Sequence, residues 1–274
     1  MLVTFVGCSG VGKNTIIKDL IAAKGEKYDL LPSVTTREPR EGETNGNPYY
    51  FVSREEFEKK IADGEMYEYE FVHTNYYGGS RKVLNEKKAT GKTLITDIDI
   101  LGTATLKKKL ADEIRVMSVF LYVDSAEELF RRLHGRGDEE EDIAVRAKRF
   151  EMEMGLSGNS DYMVNNISRE DTGKIIDALI QAENAGRTYA LACALPTEEE
   201  ISKAEEAIRG GETPAPAQMV FSGSEILIAE GADRYAAAVR LGAFIQKKFS
   251  TLPDETAVPN EKDDQKWRAL LSAK

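Results

Sequence analysis

Short, largely apolar runs alternate with segments of helical periodicity along the first two thirds of the chain. The apolar runs are typical of strands buried on both faces, and they lie at residues 2–6, 93–99, 116–123 and 162–164. The segments between them place apolar side chains three and four residues apart, which predicts helices from residue 16 and at 103–110, 126–134 and 171–182. This alternation predicts an α/β fold with a parallel sheet.

The stretch between the first helix and the run at 93–99 has its own pattern. Strands are predicted at 49–52 and 66–72. Ser53 with Glu56 forms a capping box that predicts a helix. Residues 75–80 are predicted as a turn, followed by a helix at 83–89. This stretch therefore breaks the simple strand–helix alternation of the sheet.

A change of composition near residues 184–187 predicts a hinge to a second, small α+β domain at 186–252. Its predicted elements are a strand at 189–195, a helix capped by Thr197 and Glu200, a hairpin across 219–229 and a helix at 236–241. Residues 253–274 are predicted as a polar tail, mostly loosely ordered, in which Trp267 and its apolar neighbours could form a short helix.

The first apolar run leads directly into a glycine-rich turn and a helix. The turn matches the G-x-x-x-x-G-K pattern of a phosphate-binding loop, in which glycines let backbone amides converge on an anion at a helix N-terminus. We expect Lys13 to reach the β- and γ-phosphates, and Asn14 stands where Ser or Thr is usual. The predicted loop residues are Gly7, Ser9, Gly10, Val11, Gly12, Lys13, Asn14 and Thr15.

Composition and charge narrow the classes of function. The 274 residues carry 37 basic and 47 acidic side chains, a net charge of −10, which argues against a nucleic-acid or anionic-membrane binder. Two cysteines, Cys8 and Cys193, suggest a reducing compartment. No signal peptide or membrane-spanning run is evident, so we expect a cytoplasmic protein.

Polar residues elsewhere supply the other parts that phosphoryl transfer needs. Asp97, at the end of an apolar run, is expected to hold Mg²⁺, together with Asn14 of the loop. A small phosphate could be gripped by Arg37, Arg40, Tyr49 and Tyr77, and a mobile lid could carry Arg136 and Arg146. Each residue alone also has an ordinary structural explanation. Together with the loop they favour a nucleotide kinase that uses ATP.

Residues 1 to about 185 resemble guanylate kinase. The stretches that carry the resemblance are the phosphate loop, the segment from Ser33 to Glu43, Asn75-Tyr76-Tyr77-Gly78, Asp97-Ile98-Asp99, and Arg136-Gly137 with Arg146. The resemblance implies a P-loop NTPase-type core, a nucleotide-monophosphate-binding region at about 33–88 and a lid at about 136–154. It also implies transfer of the ATP γ-phosphate to GMP or dGMP, with Lys13, Arg136 and Arg146 as catalytic residues.

The resemblance also assigns residues to the acceptor. Arg37, Arg40, Tyr49 and Tyr77 would bind its phosphate; Ser33, Glu68 and Asp99 would face the base, and Asn166 would lie near the adenine of ATP. A carboxylate at Glu68 suits guanine, which offers N1–H and a 2-amino group side by side.

Two positions depart from the family pattern. Gly79 stands where the family has Ser or Thr, whose hydroxyl contacts guanine. Either Ser80 replaces that hydroxyl through a shifted turn, or one base contact is missing. A modified purine acceptor is therefore also conceivable. Asn14 is the second departure, and we expect it to reduce metal binding without abolishing it.

Residues about 188–250 resemble the ParB/sulfiredoxin superfamily, on the segment Glu230 to Ala238 and Leu241-Gly242. Gly231 and Arg234, at a helix N-terminus with Asp233, would suit a phosphate or a nucleotide. Sulfiredoxins have a catalytic cysteine where this chain has Ala232, which excludes that reductase activity. The alternative, that Asp233 caps a helix and Arg234 forms a surface ion pair, stays open.

Two alternatives to a GMP kinase remain: a non-catalytic guanylate-kinase-like binding module, and a kinase of another, modified purine monophosphate. Retention of Lys13 in the loop argues against the binding module. The expected partners are small-molecule nucleotides. The oligomeric state is left open by the sequence.

Overall fold

The computed structural model describes residues 1–8, 10–40, 42–72, 74–135, 143, 150–186, 189–223, 225–249, 253–254 and 256–272. The chain forms two compact units. The first comprises Met1–Val6 and Lys13–Ser118, and the second Gly7–Gly12 and Val119–Lys274.

The described residues of the first unit form four helices and seven strands. In chain order they are β1 (Leu2–Val6), α1 (Lys13–Lys24), β2 (Tyr28–Leu30), β3 (Ser33–Thr35), β4 (Tyr49–Phe51), α2 (Arg54–Ala62), β5 (Met66–Val72), β6 (Asn75–Ser80), α3 (Arg81–Lys88), β7 (Thr93–Asp97) and α4 (Ile100–Lys109). Strands β1, β7 and β2 pair in parallel, with β7 between the other two. The apolar side chains of β1 and β7 are buried, as continuous apolar runs require.

A second sheet of the first unit has the order β4-β3-β6-β5. β3 is parallel to β4 and antiparallel to β6, and β6 is antiparallel to β5. The prediction of a turn at residues 75–80 is wrong, because this segment is the strand β6. Its backbone pairs with strands on both sides, which outweighs the turn preference of Gly78 and Gly79.

Apart from the loop at Gly7–Gly12, the second unit starts at Val119, which lies inside strand β8. Its elements are β8 (Val116–Tyr122, from Val119), α5 (Ala126–His134), β9 (Tyr162–Asn165), α6 (Arg169–Asn184), β10 (Ala190–Leu191), α7 (Glu198–Arg209), β11 (Ala217–Phe221), β12 (Ile226–Glu230), α8 (Ala232–Leu241), β13 (Lys247–Phe249) and α9 (Asp264–Ser272). Residues 150–156 are also helical.

The strands of the second unit lie in the order β8-β9-β13-β11-β12-β10. β13, from the C-terminal region, pairs in parallel with β9, and Lys247 lies opposite Tyr162. Strands from both sides of the expected boundary at residue 185 therefore share one sheet. The domain boundaries stay a prediction, and the α/β class with a largely parallel sheet is confirmed.

Three predictions for the C-terminal region need correction. β10 covers two residues instead of 189–195. Helix α8 begins at Ala232 instead of 236, because Gly231 adopts the left-handed conformation and lets the chain enter the helix directly. The tail is not loosely ordered throughout, since Trp267 of α9 is 1% exposed and its indole N–H donates to the Tyr189 carbonyl at 2.9 Å.

Both predicted capping boxes are present, at Ser53 with Glu56 and at Thr197 with Glu200. Within the described residues, every helix is too short or too polar to cross a membrane.

Candidate nucleotide site

The glycine-rich loop of the second unit adopts backbone conformations that need glycine. Gly7, Gly10 and Gly12 have φ values of 128°, 95° and 102°. A Cβ on Gly7 would lie 2.1 Å from the carbonyl oxygen of Leu121, and one on Gly12 would lie 2.7 Å from the side-chain nitrogen of Asn166. The loop is therefore fixed by both backbone conformation and close packing. Ser9, predicted as a loop residue, lies outside the described residues.

Asn166 holds this loop from β9. Its side chain is 5% exposed, and its amide Nδ2 donates to the Val11 carbonyl at 2.7 Å. Arg132 of α5 donates to the Asn166 carbonyl at 2.7 Å and is itself paired with Glu128 at 2.6 Å. Asn166 thus supports the loop backbone, while its expected proximity to adenine stays a prediction. Sequence reasoning missed Arg132, although its place among the charged residues at the end of an amphipathic helix was visible.

Lys13 opens helix α1 in the first unit and faces the end of β7. Its Nζ lies 3.9 Å from Oδ1 of Asp97, and the two side chains are 14% and 31% exposed. Burial at the strand end raises the pKa of the Asp97 carboxyl, and the Lys13 ammonium partly opposes that rise. Asn14 and Thr15 are exposed in the first turn of α1. The predicted cation and metal-binding carboxylate are therefore neighbours.

This arrangement fits Mg²⁺ that arrives with a nucleotide. Among the described residues, no three His, Cys, Asp or Glu side chains are grouped as a metal site. Mg²⁺ is commonly held by one or two carboxylates together with substrate phosphates, and Asp97 can supply one such oxygen. The chemistry of the donor set thus agrees with the expected metal.

Arg37 is oriented by a carboxylate that sequence reasoning did not single out. One guanidinium nitrogen donates to both Glu43 carboxylate oxygens, at 3.0 and 2.9 Å. Burial alone would raise the pKa of Glu43, but hydrogen bonds from the Arg40 backbone amide and from Arg37 outweigh burial and hold this pKa below its usual value. The Arg40 side chain is exposed, so of these two arginines it is Arg37 that is held in place by Glu43.

Two tyrosines lie beside Arg37. Its guanidinium lies 5.5 Å from the ring centroid of Tyr49, and the Tyr49 and Tyr77 rings pack edge to face with centroids 6.0 Å apart. Burial, and then the Asp97 charge, raise the pKa of Tyr49 to about 12. The Tyr49 phenol therefore remains a protonated donor at neutral pH. The structure brings three of the four predicted phosphate-binding residues together.

Glu68 of β5 lies opposite Gly79 of β6. Burial raises the pKa of Glu68 to about 7, and the nearby Asp99 carboxylate adds to the rise. Asp99 is also the N-cap of α4, since one of its oxygens accepts from the Gly102 amide at 2.8 Å. Its other oxygen keeps acceptor capacity. Ser33, on β3, lies opposite Tyr49 in register, so all three predicted base-facing residues belong to the first unit.

Whether Ser80 replaces a hydroxyl at position 79 stays a prediction, but in this conformation the Ser80 hydroxyl already has partners within the protein. Ser80 is 2% exposed, donates to Glu65 at 2.8 Å and caps α3 by accepting from the Val83 amide. Gly79 is instead covered by Tyr67, whose ring would come within 1.9 Å of a Cβ at that position. Sequence reasoning did not single out Tyr67, which immediately precedes Glu68.

The remaining predicted residues lie elsewhere. Arg136 and Arg146, expected in the lid, are outside the described residues. At the C-terminal turn, Asp233 lies within the first turn of α8 and is not its cap, because Gly231 occupies that position. Arg234 folds over Gly231, pairs with Asp233 at 3.8 Å and donates to the Ala215 carbonyl at 3.3 Å. Nucleotide binding by this turn stays a prediction.

The parallel α/β sheets, the glycine loop and the lysine that follows it define a P-loop type of nucleotide-binding protein. The guanylate kinase family model matches residues 1–183, and the chain belongs to the guanylate kinase family. The resemblance inferred from the sequence is thereby confirmed for this part of the chain. The match does not extend to the C-terminal region, whose resemblance to the ParB/sulfiredoxin superfamily stays a prediction.

Individual relatives agree with the family match. Guanylate kinase from Mesoplasma florum is 41% identical over 177 residues, which cover 64% of this chain and 59% of that protein. Guanylate kinase from Streptococcus thermophilus is 37% identical over 185 residues, covering 67% of this chain and 87% of the relative. A crystal structure of guanylate kinase from Anaplasma phagocytophilum has a TM-score of 0.53 at 30% identity, covering 67% and 85% of the two chains.

Proposed function

We propose that the protein transfers the γ-phosphate of ATP to GMP or dGMP. The observation that carries the proposal is the acceptor cluster of the first unit, in which Arg37, Tyr49 and Tyr77 lie together. Glu68, opposite Gly79 in the same unit, is proposed to face the base. Family membership supplies the reaction type. The phosphate loop, with its three left-handed glycines, supplies the donor side of the proposal.

On the donor side, the loop amides and Lys13 would neutralise the phosphates of ATP. Mg²⁺ bound with the nucleotide would supply charge neutralisation at the transferring group, with Asp97 and Asn14 as the residues that hold it directly or through water. Asn166 would keep the loop in shape through its bond to Val11. Arg136 and Arg146 are proposed to stabilise the transferring phosphoryl group, on the basis of the family resemblance.

On the acceptor side, Glu68 would accept from N1–H and the 2-amino group of guanine, with Ser33 and Asp99 nearby. Adenine has no N1–H, so this carboxylate disfavours AMP. Arg37, held by Glu43, would bind the acceptor phosphate with Arg40 and the two phenols. Because Tyr49 remains a neutral donor, it would add a hydrogen bond without adding charge.

A GMP-dependent assay tests the proposal directly. Purified protein with ATP and Mg²⁺ is expected to form ADP only when GMP or dGMP is added, in a panel that also contains IMP, AMP, CMP, UMP and modified purine monophosphates. Turnover of a modified purine in preference to GMP would shift the assignment to the alternative acceptor. Absence of turnover by folded protein with every acceptor would overturn the kinase assignment.

The Lys13→Ala variant separates a kinase from a non-catalytic binding module. Loss of a cation that stabilises transferring charge is expected to lower kcat by about 100- to 1000-fold. Lys18→Ala is the matched control, because Lys18 is an exposed lysine of the same helix. A binding module would show equal ATP affinity for both variants and no turnover to lose. The proposed location is the cytoplasm, which suits a chain whose two cysteines, Cys8 and Cys193, form no disulfide.

A further inference from the structure

Tyr67 fills the space that a side chain at position 79 would occupy. A Cβ built on Gly79 would lie 1.9 Å from Cζ of Tyr67 and 2.1 Å from its hydroxyl oxygen. The register of β5 and β6 shifts between Met66 and Glu68, so that Met66 pairs with Ser80 while Glu68 pairs with Gly79. Tyr67 is the extra residue of this bulge. A bulge redirects side chains locally, and here it brings two consecutive side chains to the same partner residue.

The Tyr67 ring is anchored by the core. It is 4% exposed and belongs to a cluster of buried apolar side chains whose other members are Leu2, Leu31, Leu84, Leu94, Leu106 and Leu110. Its hydroxyl forms no hydrogen bond with any other described residue, in contrast to Tyr162 and Tyr189, two other buried tyrosines, which bond each other at 2.5 Å. Buried phenols usually have a hydrogen-bond partner. Tyr67 therefore presents an unused donor at a fixed position.

That position is beside the proposed base-binding carboxylate. Burial, and then the charge of Glu68, raise the pKa of Tyr67, so the phenol keeps its proton throughout the physiological range. The Gly79 backbone amide acts on the Glu68 carboxylate and opposes the rise of its pKa. Tyr67, Glu68 and Gly79 thus combine a neutral donor, a carboxylate acceptor and a backbone amide in one place.

This combination matches the edge of a 6-oxopurine. Glu68 would accept from N1–H and the 2-amino group, and the next group along that edge is the 6-oxo oxygen, which requires a donor. Ser80 cannot supply the donor in this conformation, since its hydroxyl serves Glu65 and the cap of α3. Gly79 has no side chain.

We propose that Tyr67 is a specificity-determining residue, whose hydroxyl donates to the 6-oxo group of the acceptor purine in place of a hydroxyl at position 79. The inference rests on the proposed function and extends it, because it names the residue that recognises the 6-oxo group. It also explains the pairing of a glycine at position 79 with a tyrosine at position 67, since the two side-chain volumes exclude each other.

The test uses the full chain and removes only the hydroxyl. Tyr67→Phe is expected to raise the KM and the equilibrium Kd for GMP by about 3- to 10-fold, with kcat within about twofold of the unsubstituted protein. With 6-thio-GMP, which keeps N1–H and the 2-amino group but offers a weak acceptor at position 6, the two proteins are expected to differ by less than about twofold. Tyr69→Phe, on the same strand and 50% exposed, is the matched control and should change neither constant.

A second pair of variants keeps the inference testable if the phenylalanine variant is unstable. Tyr67→Leu frees the space at position 79, so Tyr67→Leu combined with Gly79→Ser is expected to regain most of the GMP affinity that Tyr67→Leu alone loses. Equal losses for GMP and 6-thio-GMP, or a lower Tm with an unchanged GMP Kd, would overturn the assignment and leave Tyr67 a packing residue. Because Kd is measured without ATP, a protein that binds GMP but never phosphorylates it would contradict the proposed function and still test Tyr67.

Discussion

Two turns of the second unit place a left-handed glycine before a helix, and they differ in what surrounds the glycine. Gly7 approaches the fixed backbone carbonyl of Leu121, and its loop contains two further left-handed glycines. In the other turn, a Cβ built on Gly231 would lie 2.5 Å from the guanidinium nitrogen Nη2 of Arg234, at the end of a flexible side chain. The space beside the glycine is therefore filled by backbone atoms in the phosphate loop and by a side chain in the C-terminal turn.

A glycine and a helix N-terminus therefore do not by themselves make an anion site. The phosphate loop is held from outside by Asn166, so its backbone shape is fixed without a ligand. At the C-terminal turn, the cation that could bind a phosphate already has two partners within the protein, the Ala215 carbonyl and Asp233. Substitutions in the two turns should therefore have very different effects.

The largest expected effect is that of Gly7→Ala. With φ at 128° and a backbone oxygen 2.1 Å from the new Cβ, the clash cannot be relieved by rotating a side chain. We expect the loop to shift by a large fraction of an ångström and kcat/KM for ATP to fall by at least about 100-fold. Initial rates at saturating GMP measure this.

Gly231→Ala is the matched control, since its φ is also positive, at 80°. Here the end of the Arg234 side chain can rotate away with the loss of its contacts to the Ala215 carbonyl and Asp233, and the left-handed backbone costs about 1–2 kcal/mol of stability. Kinase kcat/KM should be unchanged while Tm falls slightly. If both glycine variants lost activity to the same degree, the distinction between the two turns would be wrong.

The next effect concerns the acceptor carboxylate. Glu68→Gln replaces a charged acceptor by a neutral amide that also carries donors, so kcat/KM for GMP should fall by about 10- to 150-fold. Glu70→Gln, an exposed position on the same strand, should leave it unchanged. A comparable loss in both variants would point to the stability of β5 instead of base recognition.

The same carboxyl predicts a pH dependence. Because the pKa of Glu68 is raised to about 7, lowering the pH below that value protonates the group and removes its ability to accept from N1–H and the 2-amino group. The KM for GMP should therefore rise as the pH falls from 8 to 6, and it should be flat in this interval for Glu68→Gln.

Protein stability should respond to the same group in the opposite sense. A raised pKa means that the folded protein holds the Glu68 proton more tightly than the unfolded chain does. Its stabilising contribution is complete below about pH 4.5 and is lost as the pH rises through about 7. Without ligand, the Tm of Glu68→Gln should consequently exceed that of the unsubstituted protein at pH 8 but not at pH 5.

Much of this site could be predicted because its residues stand in short local patterns. The loop, Lys13, Asp97 and Arg37 follow from motif and strand position, and the structure brings Lys13 and Asp97 to 3.9 Å. Glu43 and Arg132 were missed because their role is to hold other residues, and that role depends on long-range contacts, such as the bond from Arg132 to Asn166. The hydrophobic periodicity of a helix does not indicate which residue a surface arginine contacts.

The errors in the fold have a related cause. Residues 75–80 contain two glycines and were predicted as a turn, yet pairing with neighbours on both sides makes them a central strand. Trp267 lies in a polar segment, yet its burial and its bond to the Tyr189 carbonyl anchor helix α9. In both cases tertiary contacts outweigh local preference, which is the usual reason that propensity fails.

A smaller effect is expected for Asn166→Ala, which removes the bond to Val11 and leaves the loop glycines intact. The KM for ATP should rise by about 3- to 10-fold, with little change in the KM for GMP. Asn165→Ala is the matched control, because Asn165 is about equally buried and its side-chain amide donates to Asp124. Both variants should lower the Tm, and only the first should weaken ATP binding; a GMP defect of equal size would contradict a role confined to the loop.

Arg234→Ala should have the smallest effect, and it completes the comparison of the two turns. The guanidinium is committed to the Ala215 carbonyl and to Asp233, so a phosphate at this turn would have to displace contacts already made. We therefore expect nucleotide affinities, measured by calorimetry on the full chain, to change by less than about twofold, as is usual for a partly exposed ion pair. Two ATP equivalents bound by the unsubstituted protein and one by Arg234→Ala would show instead that the turn releases its arginine to a ligand. In that case the Arg234 side chain would move away from Gly231 when the ligand binds, and both turns would bind a nucleotide.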